Sequence, residues 1–258
     1  MPSAHLSRLT AIVRTCERPK SLERLIRSIG WLHPQMRILV ADDGRKPQAI
    51  PGADSVKMPS DAGVSACRNA LLARVRTPYF LLLEDDMELS RRSGVERLLD
   101  AVAGNRLDLA AGDCERCARR MLVFTSRRPA PSHGMFEFDG DALRLAAGCR
   151  VGSDGFFACD LTHNYFVGRT DKVRAIGGWD PQLLVDERVE FFVRAQRFGL
   201  RVGVCPTAVV RQWAERGGVS PARQGRDFMS LAVAKMGVAR LVDEEGRVYE
   251  AAAHARAA

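Results

Sequence analysis

Short continuous apolar runs alternate along the chain with longer stretches whose apolar positions recur every three or four residues. Leu9-Thr-Ala-Ile-Val13 is β-favouring and is closed by the polar segment Arg14 to Pro19, which reads as a buried strand and a loop. Pro19 suits a first helical turn, and Leu22, Leu25, Ile26 and Ile29 put one apolar stripe on a helix ending near Gly30. Strands are expected at 37–41, 54–58 and 79–83, with a helix over 64–75. A further helix carrying Val95, Leu98, Leu99 and Val102 leads to a strand at 107–111. This alternation predicts an α/β fold, a mostly parallel twisted sheet flanked by helices.

From about 113 to 160 the pattern loses its period. Short β-like pieces at 121–125, 135–138 and 142–145 suggest a β-meander or an acceptor-side insertion. Regularity returns with a strand at 164–167, a helix over 186–198, strand-like runs at 201–204 and 208–210, and a helix past Ser220 through Phe228, Leu231, Ala232 and Met236. One domain over 1–245 is expected, a nucleotide-binding half at about 8–112 and an acceptor-binding half at about 113–245, with a disordered alanine-rich tail over 246–258.

Ligands of open α/β sheets bind at the carboxyl ends of the strands, and the acids of this sequence stand there. Glu84-Asp85-Asp86 follows the apolar run Tyr79 to Leu83. Like charges so placed raise one another's pKa, and a divalent cation removes the repulsion, so Glu84 and Asp86 are candidate ligands of Mn²⁺ or Mg²⁺ beside a diphosphate. A solvated acidic turn is the plainer alternative. Asp42 and Asp43 end another strand, where a carboxylate can accept from a uracil imide or from ribose hydroxyls, though Asp-Gly also makes turns unaided. Arg68 and Asn69 supply donors near a helix N-terminal end, which suits anions.

The formal charge is +8, from 39 Lys and Arg against 31 Asp and Glu, so the surface attracts anions. The basic residues are dispersed, without the block that marks a nucleic-acid arm, and nucleic acid is set aside as a partner. A composition of 46% hydrophobic and 27% charged residues excludes disordered, collagenous and membrane-spanning classes. Without an apolar leader or a long apolar span, the expected location is cytoplasmic. Peripheral membrane contact is compatible with the charge, and a homodimer is left open. Seven cysteines are read as reduced thiols. Cys114-Glu-Arg-Cys117 has the spacing of half a zinc knuckle, which only Cys149 and Cys159 could complete.

The order of blocks resembles the GT-A glycosyltransferases of the family 2 type. The blocks are Ile12-Val-Arg-Thr-Cys-Glu-Arg-Pro19, Ile38-Leu-Val-Ala-Asp-Asp-Gly44, Gly63-Val-Ser-Ala-Cys-Arg-Asn69, Tyr79-Phe-Leu-Leu-Leu-Glu-Asp-Asp86 and Gly177-Gly-Trp-Asp180. Asn164-Tyr-Phe-Val-Gly-Arg-Thr-Asp-Lys-Val173 and Val189-Glu-Phe-Phe192 are similar to the catalytic domain of the ganglioside-type β-1,4-N-acetylgalactosaminyltransferases. The resemblance implies inverting, metal-dependent transfer of a sugar, N-acetylgalactosamine or a related hexose, from a UDP-sugar to a hydroxyl. The acceptor would be a glycan, a glycolipid or a small molecule, as in polysaccharide biosynthesis.

It further implies that Thr15, Arg18 and Asp42 hold the nucleoside with Asp43 beside it. Asp86 would bind the metal at the DXD-like motif, Asp85 the ribose or the metal, and Arg68 the phosphates. Asn164 and Trp179 would line the sugar and acceptor side, and Glu190 would be the base, with Asp186 and Glu187 as substitutes. Glu190 and Arg194 are also spaced for a helix ion pair. Where many members of the family offer the metal a late histidine, this chain has Gln212 and Trp213. Two other readings are a non-catalytic nucleotide-sugar-binding protein and a sugar-nucleotide pyrophosphorylase. The second needs a glycine-rich first loop, and Arg14 to Pro19 contains no glycine.

Overall fold

The computed structural model describes residues 6–47, 49–120, 124–129, 133–214 and 227–252. In chain order its elements are β1 (Leu9–Thr15), α1 (Pro19–Leu32), β2 (Arg37–Asp42), β3 (Asp54–Lys57), α2 (Val64–Arg74), β4 (Tyr79–Glu84), β5 (Met87–Glu88) and α3 (Val95–Ala103). Then come β6 (Leu109–Arg120), β7 (Phe124–Pro129), β8 (Gly134–Asp139), β9 (Ala142–Ala147), β10 (Phe157–Ala158) and β11 (Phe166–Arg169). The last are α4 (Thr170–Ala175), α5 (Glu187–Arg197), β12 (Val202–Trp213), α6 (Phe228–Lys235), β13 (Arg240–Val242) and β14 (Val248–Glu250).

Ten strands form one sheet, ordered β10-β12-β6-β11-β4-β1-β2-β3 with β5 on β12 and β7 on β6. β1, β2 and β4 are almost wholly buried because both faces are covered, which is why they read as continuous apolar runs. They run parallel, with Val13 between Val40 and Leu83, Thr15 beside Asp42 and Arg14 beside Glu84. Parallel strands in register end together, so residues 15, 42 and 84 meet at one edge although up to 69 positions separate them.

The sheet is parallel through β4-β1-β2-β3 and mixed beyond it. β11 is antiparallel to both β4 and β6. Its register, Phe166 opposite Leu82, brings the preceding Asn164 to the Glu84 end. β12 is parallel to β6, slips register between Cys205 and Val209, and ends with Gln212 opposite Met87 on β5.

Two apolar clusters cover the faces. α1 and α3 pack on one with Leu25, Ile29, Leu98 and Val102, and α2 and α5 on the other with Cys67, Leu71, Phe191 and Phe192. A second sheet, β14-β13-β9-β8, joins the latter cluster through Leu143 and Leu241. The irregular segment is therefore a long β6 turning back as β7, followed by the β8–β9 hairpin, while 121–123 of its first expected piece lie outside the described residues. The half-boundary at 112 falls inside β6, so both halves share one sheet. Ordered chain also extends past 246, since β14 pairs with β13, while 253–258 of the expected tail and the start of the helix past Ser220 lie outside the described residues. Among the described residues no helix is long and apolar enough to cross a membrane.

Candidate active site

At the shared carboxyl edge, a cavity of about 330 Å³ opens between the ends of β1 and β2 and the start of α1. Pro19, Leu22 and Ile50 give it apolar walls, and Thr15, Arg18 and Asp42 give it polar ones. Asp42 accepts from the Gly44 amide at 2.8 Å. Apolar walls with a few fixed polar groups suit a nucleoside. Asp43 is not part of it: fully buried, it accepts from Arg14 at 2.6–2.8 Å and from the Gly63 amide at 3.0 Å. This corrects the placement of Asp43 beside the nucleoside, for its carboxylate ties β1 to the start of α2.

Beside this cavity lies a second one of about 250 Å³, lined by Arg18, Asp85, Asp86, Asn164, Arg188 and Gln212 among others. Asp85 stands between the two, its oxygens accepting from Thr15 Oγ1 at 2.8 Å and from Arg18 at 3.2 Å. Burial raises the pKa of its carboxyl, against the pull of Arg18 and Thr15. Asp86 is pushed up to about 7, mainly by burial and further by Glu84 and Asp85. Its carboxylate oxygens each accept from Gln212 Nε2 at 3.3 Å, so Gln212 stands beside the candidate metal ligand.

The donor set fits a hard divalent cation completed by substrate. Asp86 is a partly buried carboxylate whose ionisation its surroundings oppose and a cation would favour, with the Gln212 amide beside it. Mg²⁺ commonly takes one or two carboxylates and fills the remaining positions with phosphate oxygens and water. No group of three or more His, Cys, Asp or Glu among the described residues could hold a metal alone. Cys114, buried near Gln212 with its thiol pushed up to about 12, and Cys117 remain thiols, as do Cys149 and Cys159.

Glu84 also lines this second cavity, but its carboxylate is already engaged. It accepts from Arg68 at 2.6 Å and from Asn164 Nδ2 at 2.8 Å, so a pairing cation holds the carboxylate expected on the metal. Arg68 also bonds Glu187 and lies 5.5 Å above the Trp179 ring. At 2% exposure it is a buried bridge from α2 to β4 and α5, not a phosphate contact. Trp179 is 1% exposed and stacks on Phe191 at 4.8 Å, so it supports the site from the core and does not line the sugar side. The glycine before it serves Asn69: a Cβ on Gly178 would lie 2.3 Å from Asn69 Oδ1, which accepts from the Trp179 amide.

Glu190 gives both oxygens to Arg194, at 2.7 and 2.8 Å, and Arg194 also bonds the carbonyls of Ile176 and Gly178. The i to i+4 spacing is thus realised as a buried structural pair, and Glu190 lines neither cavity. Of the expected site residues, the fold brings together Thr15, Arg18, Asp42, Glu84, Asp85, Asp86 and Asn164. His163, whose place next to Asn164 in the sequence already made it able to touch substrate, lines the acidic cavity too, and the fold adds Arg188, which no motif signalled. Burial lowers the pKa of the Arg188 guanidinium, against the opposing pull of Glu187, Glu244 and Glu84.

The family model described as glycosyl transferase family 2 matches residues 10–159. Human beta-1,4 N-acetylgalactosaminyltransferase 1 is 33% identical over 213 residues, covering 78% of this chain and 38% of that protein. Mouse beta-1,4 N-acetylgalactosaminyltransferase 2 is 29% identical over 208 residues, with the same coverage of each. The chain therefore spans well under half the length of these relatives. Among solved structures, GalNAc-T7 with UDP, GalNAc and Mn²⁺ superposes with a TM-score of 0.70 at 12% identity, covering 88% of this chain and 48% of that one. S. aureus TarS gives 0.60 at 14%, covering 88% and 38%. The fold is the expected GT-A α/β architecture, and with the family model matching residues 10–159 the chain belongs to glycosyl transferase family 2.

Proposed function

We propose that this chain is an inverting glycosyltransferase that moves a sugar from a UDP-sugar to a hydroxyl of a glycan, glycolipid or small molecule with the help of Mn²⁺ or Mg²⁺. The carrying observation is the pair of adjoining cavities, apolar-walled on one side and acidic on the other, that share Arg18 and meet at Asp85. A nucleoside joined to a diphosphate has this shape and sequence of chemistry. The relatives' names favour N-acetylgalactosamine or a related hexose.

Thr15 and Asp42 would fix the nucleoside, Asp85 the ribose, and Arg18 and Arg188 the diphosphate. Asp86 would hold the cation with Gln212 at its side. The cation, when bound, would offset the charge that the departing diphosphate gathers. Asn164, held by Glu84, would face the sugar. In the step itself the acceptor oxygen bonds to the anomeric carbon as the bond from that carbon to the diphosphate breaks. UDP leaves with the electron pair, and the hydroxyl proton passes to a carboxylate.

Of the three acids at the start of α5, Glu187 and Glu190 are held by Arg68 and Arg194. Asp186 pairs with no basic side chain among the described residues. Its pKa is raised by burial and by Glu187 and Asp227, which suits a proton acceptor at neutral pH. Asp186 is exposed and, like Glu190, lines neither cavity, but it is the one acid of the three that no arginine holds, and we assign the base to it on that ground.

The test is incubation with a panel of UDP-sugars, Mn²⁺ and candidate acceptors, reading UDP release and the anomeric configuration of the product by NMR. A β-linked product from an α-linked donor is expected. UDP binding without turnover on any pair would return the chain to a non-catalytic nucleotide-binding role.

A further inference from the structure

On the flank of the active-site edge, α1, the segment after β5 and the end of β12 enclose a cavity of about 620 Å³ whose lining includes five arginines: Arg24, Arg27, Arg91, Arg92 and Arg211. Among the described residues three carboxylates engage this patch. Glu23 pairs with Arg27 at 2.7 Å, Glu115 with Arg92 at 3.5 Å, and Glu88 accepts from Trp213 Nε1 at 2.6 Å. The patch keeps an excess of positive charge within a molecule that is basic overall.

At its rim stands Trp31, 68% exposed, with the Arg91 guanidinium 5.8 Å from the ring centroid. Trp31 and Arg27 also line an adjoining cavity of about 540 Å³, whose other walls include Ile26, Met36, Ile38 and Ile50. Cationic groups, an exposed amphipathic ring and an apolar recess therefore succeed one another across one face. Free phosphates or acidic sugars would use the first alone. Phospholipid at a bilayer surface presents all three complements, with anionic headgroups for the arginines, the interface for the tryptophan and acyl carbon for the recess.

We propose that this face docks the protein on anionic phospholipid membranes. β12 places it beside the reaction. Arg211 lines the basic cavity while the next residue, Gln212, lines the acidic one, so a docked molecule would hold its active-site edge close to the bilayer. The inference does not depend on which sugar is transferred, or on whether any is.

The full chain is mixed with vesicles of phosphatidylcholine alone and of phosphatidylcholine with phosphatidylglycerol, and sedimentation and tryptophan emission are read at low and high salt. Binding to the anionic vesicles only, weakened by salt, is expected. The emission should shift to the blue and be quenched by lipids brominated in the acyl chain. Each guanidinium at an anionic leaflet strengthens association about fivefold, so Arg27→Gln with Arg91→Gln should weaken it about 25-fold. Trp31→Ala should abolish the blue shift. Unchanged melting temperature and UDP affinity in these variants separate lost docking from lost folding. Equal binding to both vesicle types, or arginine variants that bind as wild type does, would overturn the proposal. So would stabilisation by soluble glycerol phosphate without any vesicle association.

Discussion

Replacing Asp86 by Asn should make the metal-free protein more stable at alkaline pH while removing its response to metal. Asp86 is held at about 7 in the fold against an ordinary 3.8. With the folded pKa the higher one, the native state binds the proton more tightly, and stability falls as pH rises from about 4 through about 7. The full difference corresponds to at most about 4 kcal/mol. Solvent reaching the open cavity reduces this, and about half, near 2 kcal/mol, is a reasonable expectation. Asn keeps the shape and cannot ionise.

At about pH 8 the variant should therefore melt roughly 4–8 °C higher than wild type, and at about pH 3, where Asp86 is protonated in both states, the two should melt alike. Added UDP and Mn²⁺ should reverse the order. A ligand at a hundred times its Kd stabilises wild type by about 2.7 kcal/mol, and the variant should gain little from the metal. Differential scanning calorimetry across pH, with and without UDP and Mn²⁺, measures each quantity. A variant less stable than wild type at alkaline pH, or one that keeps its metal response, would refute the reasoning.

Four further substitutions separate support from chemistry. Glu190→Gln breaks the bidentate pair with Arg194 and should cost about 1–3 kcal/mol by calorimetry, with UDP affinity retained. Asp186→Asn should instead leave the melting temperature near wild type and lower kcat, flattening the acid limb of the pH–rate profile. Arg68→Met leaves the buried Glu187 without its cation and Glu84 with Asn164 alone, and should cost about 3 kcal/mol, read by urea denaturation. Gly178→Ala puts a Cβ at φ +67° against Asn69 and should cost about 2–4 kcal/mol, with the crystal structure showing Asn69 displaced.

The strands that carry the site were legible because a parallel strand buried on both faces cannot hide its pattern. β1, β2 and β4 are uninterrupted apolar runs, and each stops at the polar residue that reaches the ligand edge. The convergence of Thr15, Asp42, Asp85 and Asp86 follows from parallel register alone. Partnership was not legible. Arg68 meets carboxylates 16 and 119 positions away, and nothing in its neighbourhood tells a phosphate-binding arginine from a buried bridge. A glycine before Trp179 leaves room for a close approach, but nothing local says by what, and at Gly178 the approaching group is the Asn69 side chain. Glu190 was the base by resemblance and half of an ion pair by spacing, and the bidentate geometry realises the pair. β6 escaped recognition past residue 112 because its continuation mixes cysteine with charged residues.

The most direct test of the account is a crystal soaked with UDP and Mn²⁺ and measured at the manganese absorption edge. An anomalous peak beside Asp86, bridged to the diphosphate, with the uracil between Thr15, Asp42 and Leu22, is the predicted result. UDP bound elsewhere, or bound there with no manganese at Asp86, would contradict it.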